Sequence, residues 1–374
     1  MMQVDDFLAI LGSDFYAGVP DSQLRALCDT LLARYGAAGM HHQICANEGN
    51  ATAAAAGYYL ATGSVPVVYL QNSGIGNIVN PVASLLNRRV YGIPCIFLVG
   101  WRGEPGVKDE PQHDFQGEVS YSLLHDLGMR TYIFCRNTTS AELKAILQDA
   151  AGELAEGKQV AILIQKGALQ SEKVSYHNNN TMRRETAIRI LLQTAPAEDV
   201  FVATTGKASR ELYEIREQTH QRHNHDFLLV GSMGHASSLA MEIACQRPER
   251  HIWCIDGDGA ALMHMGAMAV LGTSGLGNIT HVLINNGAHE SVGGQPTVGY
   301  LIDFGQIAKG CGYRAVYTAA TETDMASVAK EARSAAGPVF LEARCAIGSR
   351  PDLGRPEGSL IESRQAFMAM LQGR

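Results

Sequence analysis

Charge, aromatic rings and closely spaced cysteines are all scarce in this sequence. Asp, Glu, Lys and Arg make up 18% of 374 residues against 46% hydrophobic, a balance that excludes a chain too polar to bury a core. Positive charge is not in excess: 30 Lys and Arg stand against 37 Asp and Glu, and the net charge of -7 removes any general attraction to nucleic acid or to an anionic membrane. The cysteines, Cys28, Cys45, Cys95, Cys135, Cys245, Cys254, Cys311 and Cys345, include no CxxC pair, which excludes the commoner zinc and dithiol frameworks. Several lie in apolar runs and are expected as reduced core thiols of a cytoplasmic protein. No apolar run approaches the roughly 20 residues of a membrane span. The opening "MMQVDDFLAILGSDF" has acids where a secretory leader has its basic region, so no signal peptide is expected. No low-complexity tract stands out, and the two halves show no repeat that aligns by eye.

What is present is an alternation of short β-rich runs with helix-length segments. "VPVVYL" (65–70), "IPCIFLVG" (93–100), "TYIFC" (131–135) and "QVAILIQ" (159–165) read as buried strands in the first half. The polar stretch "LQSEKVSYHNNNTMRRE" (169–185) breaks the pattern and reads as a linker. Strands resume with "DVFVATTG" (199–206), "DFLLVGSMG" (226–234), "HIWCIDGDG" (251–259), "ITHVLINNG" (279–287) and "GPVFLEARC" (337–345). Continuous apolar strands alternating with helices predict parallel sheets covered on both faces, hence two doubly wound α/β domains, 1–168 and 186–374. In such sheets ligands gather at the carboxyl ends of the strands.

Two of those ends carry unusual residues. Asp258 sits between glycines after "HIWCID", where the next helix would start, and Asn286 closes "HVLIN" one βα unit later. A helix start suits a phosphate, and a carboxylate beside an amide oxygen suits Mg2+, which commonly takes few protein ligands when phosphates supply others. Taken singly, Gly-Asp-Gly is more often a tight turn and Asn-Asn more often a cap. Their pairing at neighbouring strand ends favours a metal-diphosphate site.

GDG followed about 25 residues later by NN resembles the thiamin diphosphate-binding motif, and the resemblance extends through the chain. "GSMGHASSLAMEIA" (231–244) is similar to the strand-to-helix segment of the family's diphosphate-binding domain. "CANEGNATAAAAGYYLATG" (45–63) is similar to its pyrimidine-domain helix, and "QNSGIGNIVN" (71–80) to a Ser/Gly loop near the pyrimidine. The resemblance implies that Glu48 bonds the aminopyrimidine and that Met233 bends the cofactor. It places Ser73, Gly74, Thr205, Gly206, Lys207, Gly231, Gly257, Gly259 and Ala260 near the cofactor, with Asp258, Asn286 and the main-chain carbonyl of Ala288 on Mg2+. A carboxyl bonded to N1′ of the ring promotes the imino tautomer that removes the thiazolium C2 proton, and a poorly solvated Ala-rich helix favours the raised pKa this needs.

The length leaves no room for the central third domain of the pyruvate decarboxylases and acetolactate synthases, so the chain resembles the compact decarboxylases of phosphonopyruvate and sulfopyruvate. "GVPDSQL" (18–24), "DEPQHDFQG" (109–117), "NNGAHESVGGQPTVG" (285–299) and "DLGRP" (352–356) carry the likeness to the phosphonopyruvate group. Departures exist. The pyruvate enzymes' tandem His pair is reduced to His113, and Val292 stands where they have a glutamate. Ser22 matches a catalytic Asp/Ser position and is expected to contact substrate, with Asp21 as an acid-base alternative. A substrate with two anionic ends needs cationic or N–H donors, for which His113, His289, Arg88, Arg102 and Lys207 are the candidates.

The resemblance implies decarboxylation of 3-phosphonopyruvate to phosphonoacetaldehyde and CO2 in phosphonate biosynthesis, by a homo-oligomer with active sites between subunits. The sequence also leaves open another 3-substituted pyruvate such as sulfopyruvate, a carboligating synthase, and a non-catalytic cofactor- or dinucleotide-binding protein. The histidines of "RHNHD" (222–226), His41 with His42, and the methionines of "MHMGAM" (263–268) are expected in loops and core rather than in chemistry.

Overall fold

A computed structural model describes residues 1–373. They form two compact units, one of residues 1–175 with 291–296 and one of residues 176–290 with those from 297 on.

The first unit is built on six strands, β1 (Tyr16–Gly18), β2 (His42–Ile44), β3 (Val67–Gln71), β4 (Cys95–Gly100), β5 (Arg130–Phe134) and β6 (Gln159–Ile164), in the order β2-β1-β3-β4-β6-β5. All pair in parallel. Side chains alternate between faces, and both faces are apolar: Val67, Tyr69, Ile96 and Leu98 join one core, Val68, Leu70, Phe97 and Val99 the other. The second unit has β7 (Val200–Ala203), β8 (Asp226–Leu228), β9 (Ile252–Gly257), β10 (Ile279–Asn285), β11 (Ala315–Ala319) and β12 (Val339–Arg344). Its parallel order, β8-β7-β9-β10-β12-β11, repeats that of the first. The halves are therefore repeats in topology although their sequences do not align.

Nine of the twelve strands lie in the runs expected from sequence. The three others, β1, β2 and β11, include two of only three residues, too short to show a hydrophobic period. The 169–185 segment is less of a free linker than its polarity suggests. Leu169–Gln170 pairs in parallel with Met2–Gln3, and in the second unit Asn178 Nδ2 donates to the carbonyls of Asn286 (2.9 Å) and Cys345 (3.0 Å). All eight cysteines are free; Cys28, Cys95, Cys254 and Cys345 are buried, whereas Cys245 is exposed. Among the described residues no helix is long and apolar enough to cross a membrane.

Candidate active site

In the first unit, β2 leads into the helix Glu48–Thr62, whose start is capped by the Asn47 side chain accepting from Gly49 N–H at 2.7 Å. Ala51, Ala55 and Ala56 bury the inner side of that helix and let it lie close to the sheet. Glu48 is thereby only 4% exposed. Asn77 Nδ2 donates to its Oε2 at 2.6 Å, and a Cβ on Gly74 would come within 2.3 Å of its Oε1. Burial raises the Glu48 carboxyl above the ordinary glutamate range, against the opposing pull of the Asn77 bond. Gly74 is thus required by close approach, its φ being unremarkable at -79°.

At the ends of β1 and β4, Ser22 and Arg102 meet. Arg102 forks onto Asp109, Nε to Oδ2 at 2.7 Å and the second terminal nitrogen to Oδ1 at 2.5 Å, while its first terminal nitrogen donates to Ser22 Oγ at 3.0 Å. Burial would raise Asp109, but Arg102 and the Gly103 N–H bring its carboxyl down to about 2. His113 lies nearby in the helix Pro111–Asp126; burial, with help from the Arg102 charge, holds its imidazole at about 4, so it is neutral near pH 7. This Ser22, Arg102 and His113 grouping presents hydroxyl, guanidinium and imidazole at one sheet end.

Two of the sequence candidates are engaged elsewhere in the fold. Asp21 is fully buried, accepting from Gln71 Nε2 at 2.5 Å and from Gln23 N–H at 3.0 Å, so it fastens the loop after β1. Arg88 lies at the opposite, amino-terminal end of the strands, paired at 3.4 Å with exposed Glu156, because the segment containing it leads into β4 instead of leaving a strand. Ser73 is exposed beside Gly74, with its Oγ on Gln71 Oε1 at 2.7 Å.

In the second unit β9 and β10 are neighbours, so Asp258 and Asn286 emerge side by side, and Asn286 N–H donates to the Asp258 carboxylate. Asp258 begins the helix Asp258–Met263 and is 2% exposed; burial raises it to about 7. Its other partners are the Thr297 hydroxyl and the Gly259 N–H. Asn286 Oδ1 accepts from Ala288 N–H at 3.1 Å and its Nδ2 donates to Glu290 Oε2 at 2.8 Å. A Cβ on Gly259 would sit 3.0 Å from His289 Nδ1 and 3.3 Å from Met233 Cε, which puts those two side chains beside the GDG turn. His289 is buried, and burial holds it at about 4. Gly257 faces open space, and Ala260 is buried one turn on.

Thr205 and Gly206 follow β7. Gly206, at φ 104°, makes the turn into the helix Lys207–Gln218. Lys207 is engaged already, its Nζ 3.0 Å from Glu290 Oε1. Gly231 and Ser232 follow β8, Ser232 at φ 54°.

Residues 3–124 match the N-terminal TPP binding domain of thiamine pyrophosphate enzymes, and residues 204–343 match their C-terminal TPP binding domain. Phosphonopyruvate decarboxylase of Streptomyces viridochromogenes is 33% identical over 382 residues, 96% of this chain and 92% of that protein. That of Streptomyces hygroscopicus is 34% identical over 386 residues, 98% and 93% respectively. The chain belongs to the phosphonopyruvate decarboxylase family. Its members are thiamin diphosphate-dependent carboxy-lyases, and the two parallel-sheet units are the two cofactor-binding folds, with no third domain among the described residues. A shorter match links it to sulfopyruvate decarboxylase subunit beta of Methanothermobacter thermautotrophicus, 34% identical over 119 residues, 32% of this chain and 61% of that subunit.

The donor set suits the cation such a decarboxylase would use. Asp258 is a buried carboxylate with neutral hydrogen-bond donors, and among the described residues no Lys, Arg or His side chain pairs with it. A hard divalent ion would supply the missing charge, with the Asn286 amide oxygen and a main-chain carbonyl as the uncharged ligands. Sequence reasoning missed Asn77, Asp109, Thr297, Glu290 and Arg184. Asn77 falls three residues after Gly74, in a stretch that the sequence reads as a loop and the structure winds into the helix Ile75–Pro81, whereas Thr297, Glu290 and Arg184 are brought in by contacts with no sequence signature.

Proposed function

We propose that the protein catalyses thiamin diphosphate- and Mg2+-dependent, non-oxidative decarboxylation of 3-phosphonopyruvate, which with one proton yields phosphonoacetaldehyde and CO2, as a step of phosphonate biosynthesis. The observation that carries the substrate is the match to two phosphonopyruvate decarboxylases along nearly the whole chain. Thiamin diphosphate, when bound, would supply the carbon nucleophile and the electron sink that decarboxylation of a 2-oxo acid needs.

The chain's own residues do the rest. Glu48, with its carboxyl raised by burial and Asn77 fixing Oε2, keeps a proton available at the pyrimidine N1′. Asp258, Asn286 and the Ala288 carbonyl hold Mg2+; Thr205, Gly206, Lys207, Gly231, Gly257, Gly259 and Ala260 line the cofactor, and Met233 supports it. Ser22, Arg102 and His113 take the anionic ends of the substrate, with Asp109 keeping the guanidinium in place. His289, neutral at pH 7 and beside the GDG turn, is a further contact for the substrate. We assign 1–168 to the pyrimidine-binding domain and 186–374 to the diphosphate-binding domain of a cytoplasmic homo-oligomer whose sites are shared between subunits.

The test is CO2 release by purified protein with thiamin diphosphate and Mg2+ from phosphonopyruvate, sulfopyruvate and pyruvate. A kcat/KM highest for phosphonopyruvate, with phosphonoacetaldehyde as product, is expected. A preference for sulfopyruvate would overturn the substrate and leave the chemistry, and a carbon-carbon-joined product on adding an acceptor aldehyde would replace lyase by synthase.

A further inference from the structure

Glu290 receives more donors than any role so far gives it. Its Oε2 accepts from Asn286 Nδ2 at 2.8 Å and from the Arg184 guanidinium at 2.7 Å, and its Oε1 accepts from Lys207 Nζ at 3.0 Å. Arg184 is anchored on its other side by a fork onto Glu211, at 2.6 and 2.7 Å. The Arg184, Glu211 and Glu290 side chains are each at most 7% exposed.

An asparagine amide has a ligand atom on one side and an N–H2 on the other, and only the oxygen can bind a cation. An ionised carboxylate accepts and never donates, so Glu290 can face only the N–H2 side of Asn286. That commits Oδ1 to the opposite direction, where Ala288 N–H takes one lone pair at 3.1 Å and leaves the second. The two cations keep Glu290 ionised, and through Lys207 the same carboxylate ties the loop after β7 to the loop after β10.

We infer that Glu290 is a positioning residue that fixes the amide of Asn286 with its oxygen toward the Mg2+ ion. This rests on the cofactor reading above and assigns a role to a side chain that reading does not use.

The test is Mg2+ binding by calorimetry to protein saturated with thiamin diphosphate, for wild type, Glu290→Gln, Asn286→Asp and the double variant, with the thermal midpoint of each measured without Mg2+. Glu290→Gln removes the charge that Arg184 and Lys207 share and sets an N–H2 against donors that had faced only oxygen, so the hold on the Asn286 amide is lost and Mg2+ affinity should fall 10- to 100-fold. Aspartate has oxygens on both sides and needs no orienting. The double variant, where the amide introduced at position 290 would donate to the new carboxylate at position 286, should therefore return to within about tenfold of wild type. Asn286→Asp alone sets two carboxylates against each other and should bind more weakly than the double variant, a comparison that stands even if Glu290→Gln proves too unstable to measure. Equal affinity of wild type and Glu290→Gln, or a double variant no better than either single one, would overturn the inference. Wild type that takes up no Mg2+ with thiamin diphosphate present would overturn the cofactor reading and this role with it.

Discussion

At the residue scale the first unit turns on how tightly Glu48 is enclosed. A methyl group at position 74 would lie 2.3 Å from its Oε1, and the backbone there tolerates alanine, so the damage of Gly74→Ala is confined to the carboxyl. We expect kcat to fall by roughly 10²-fold, the scale of a misplaced acid-base group, while the loss of stability stays within about 1–3 kcal/mol. Steady-state kinetics beside urea unfolding checks this; a variant with wild-type kcat would show that the carboxyl does not act from this position. Asp258 and Asn286 could be picked out in the sequence because each follows a legible strand one βα unit apart, whereas Glu48, after a strand too short to show, was picked out through the resemblance to the thiamin diphosphate-binding motif. Asn77, Thr297 and Glu290 could not, since the partners that give them meaning come from elsewhere in the fold. Arg88 shows the converse error: charge alone nominated it, and only the direction of the chain at that point shows that it leads into a strand.

At the scale of elements, the strands inside continuous apolar runs were legible, short β8 among them, whereas β1, β2 and β11 were not. The crossing that positions the Arg102 and His113 pair was equally hidden. A Cβ on Gly117 would stand 1.6 Å from the Gly103 carbonyl oxygen, and one on Gly103 would stand 1.8 Å from the His113 carbonyl oxygen, so two backbones touch where no side-chain rotation gives relief. Gly117→Ala should cost about 1–3 kcal/mol of stability, in the range of overpacked cores, and raise KM for phosphonopyruvate several-fold by displacing the helix that carries His113. Chemical unfolding and initial rates measure both effects. Unchanged stability would mean that this crossing is looser than its geometry states.

At the scale of the whole molecule, two buried imidazoles and one half-buried imidazole contribute to the response to acid. Burial holds His113 and His289 at about 4 and His251 at about 3, while the unfolded chain titrates them near 6.5. Their folded pKa is lowered, so from these groups stability is undiminished above pH 6.5 and drains away as pH falls toward 4, where the unfolded state binds protons that the fold refuses. The buried His251 and His289 each contribute a slope of up to about 1.4 kcal/mol per pH unit in that window, and the half-buried His113 less. Replacing His251, which bonds Thr280 at 3.0 Å away from the proposed site, by Gln should remove one such contribution from the pH dependence of the urea midpoint. An unchanged slope would show that His251 titrates alike in both states.

The proposed sharing of sites between subunits makes a separate prediction. Glu48→Gln and Asp258→Asn variants, each inactive alone, should on co-expression regain about a quarter of wild-type activity if subunits pair at random in a two-fold dimer. No recovery would place each site within one subunit. The repeat of one strand order in both units was invisible to sequence comparison because topology is kept by apolar strands that many residue choices satisfy.

The most direct measurement is CO2 release from phosphonopyruvate by wild type and by Glu48→Gln, each reconstituted with thiamin diphosphate and Mg2+. The account predicts steady turnover by the wild type and a loss of at least about 10²-fold in the variant, whose side chain keeps the shape of Glu48 without its proton chemistry. Turnover of the variant at the wild-type rate, or none by the wild type, would contradict it.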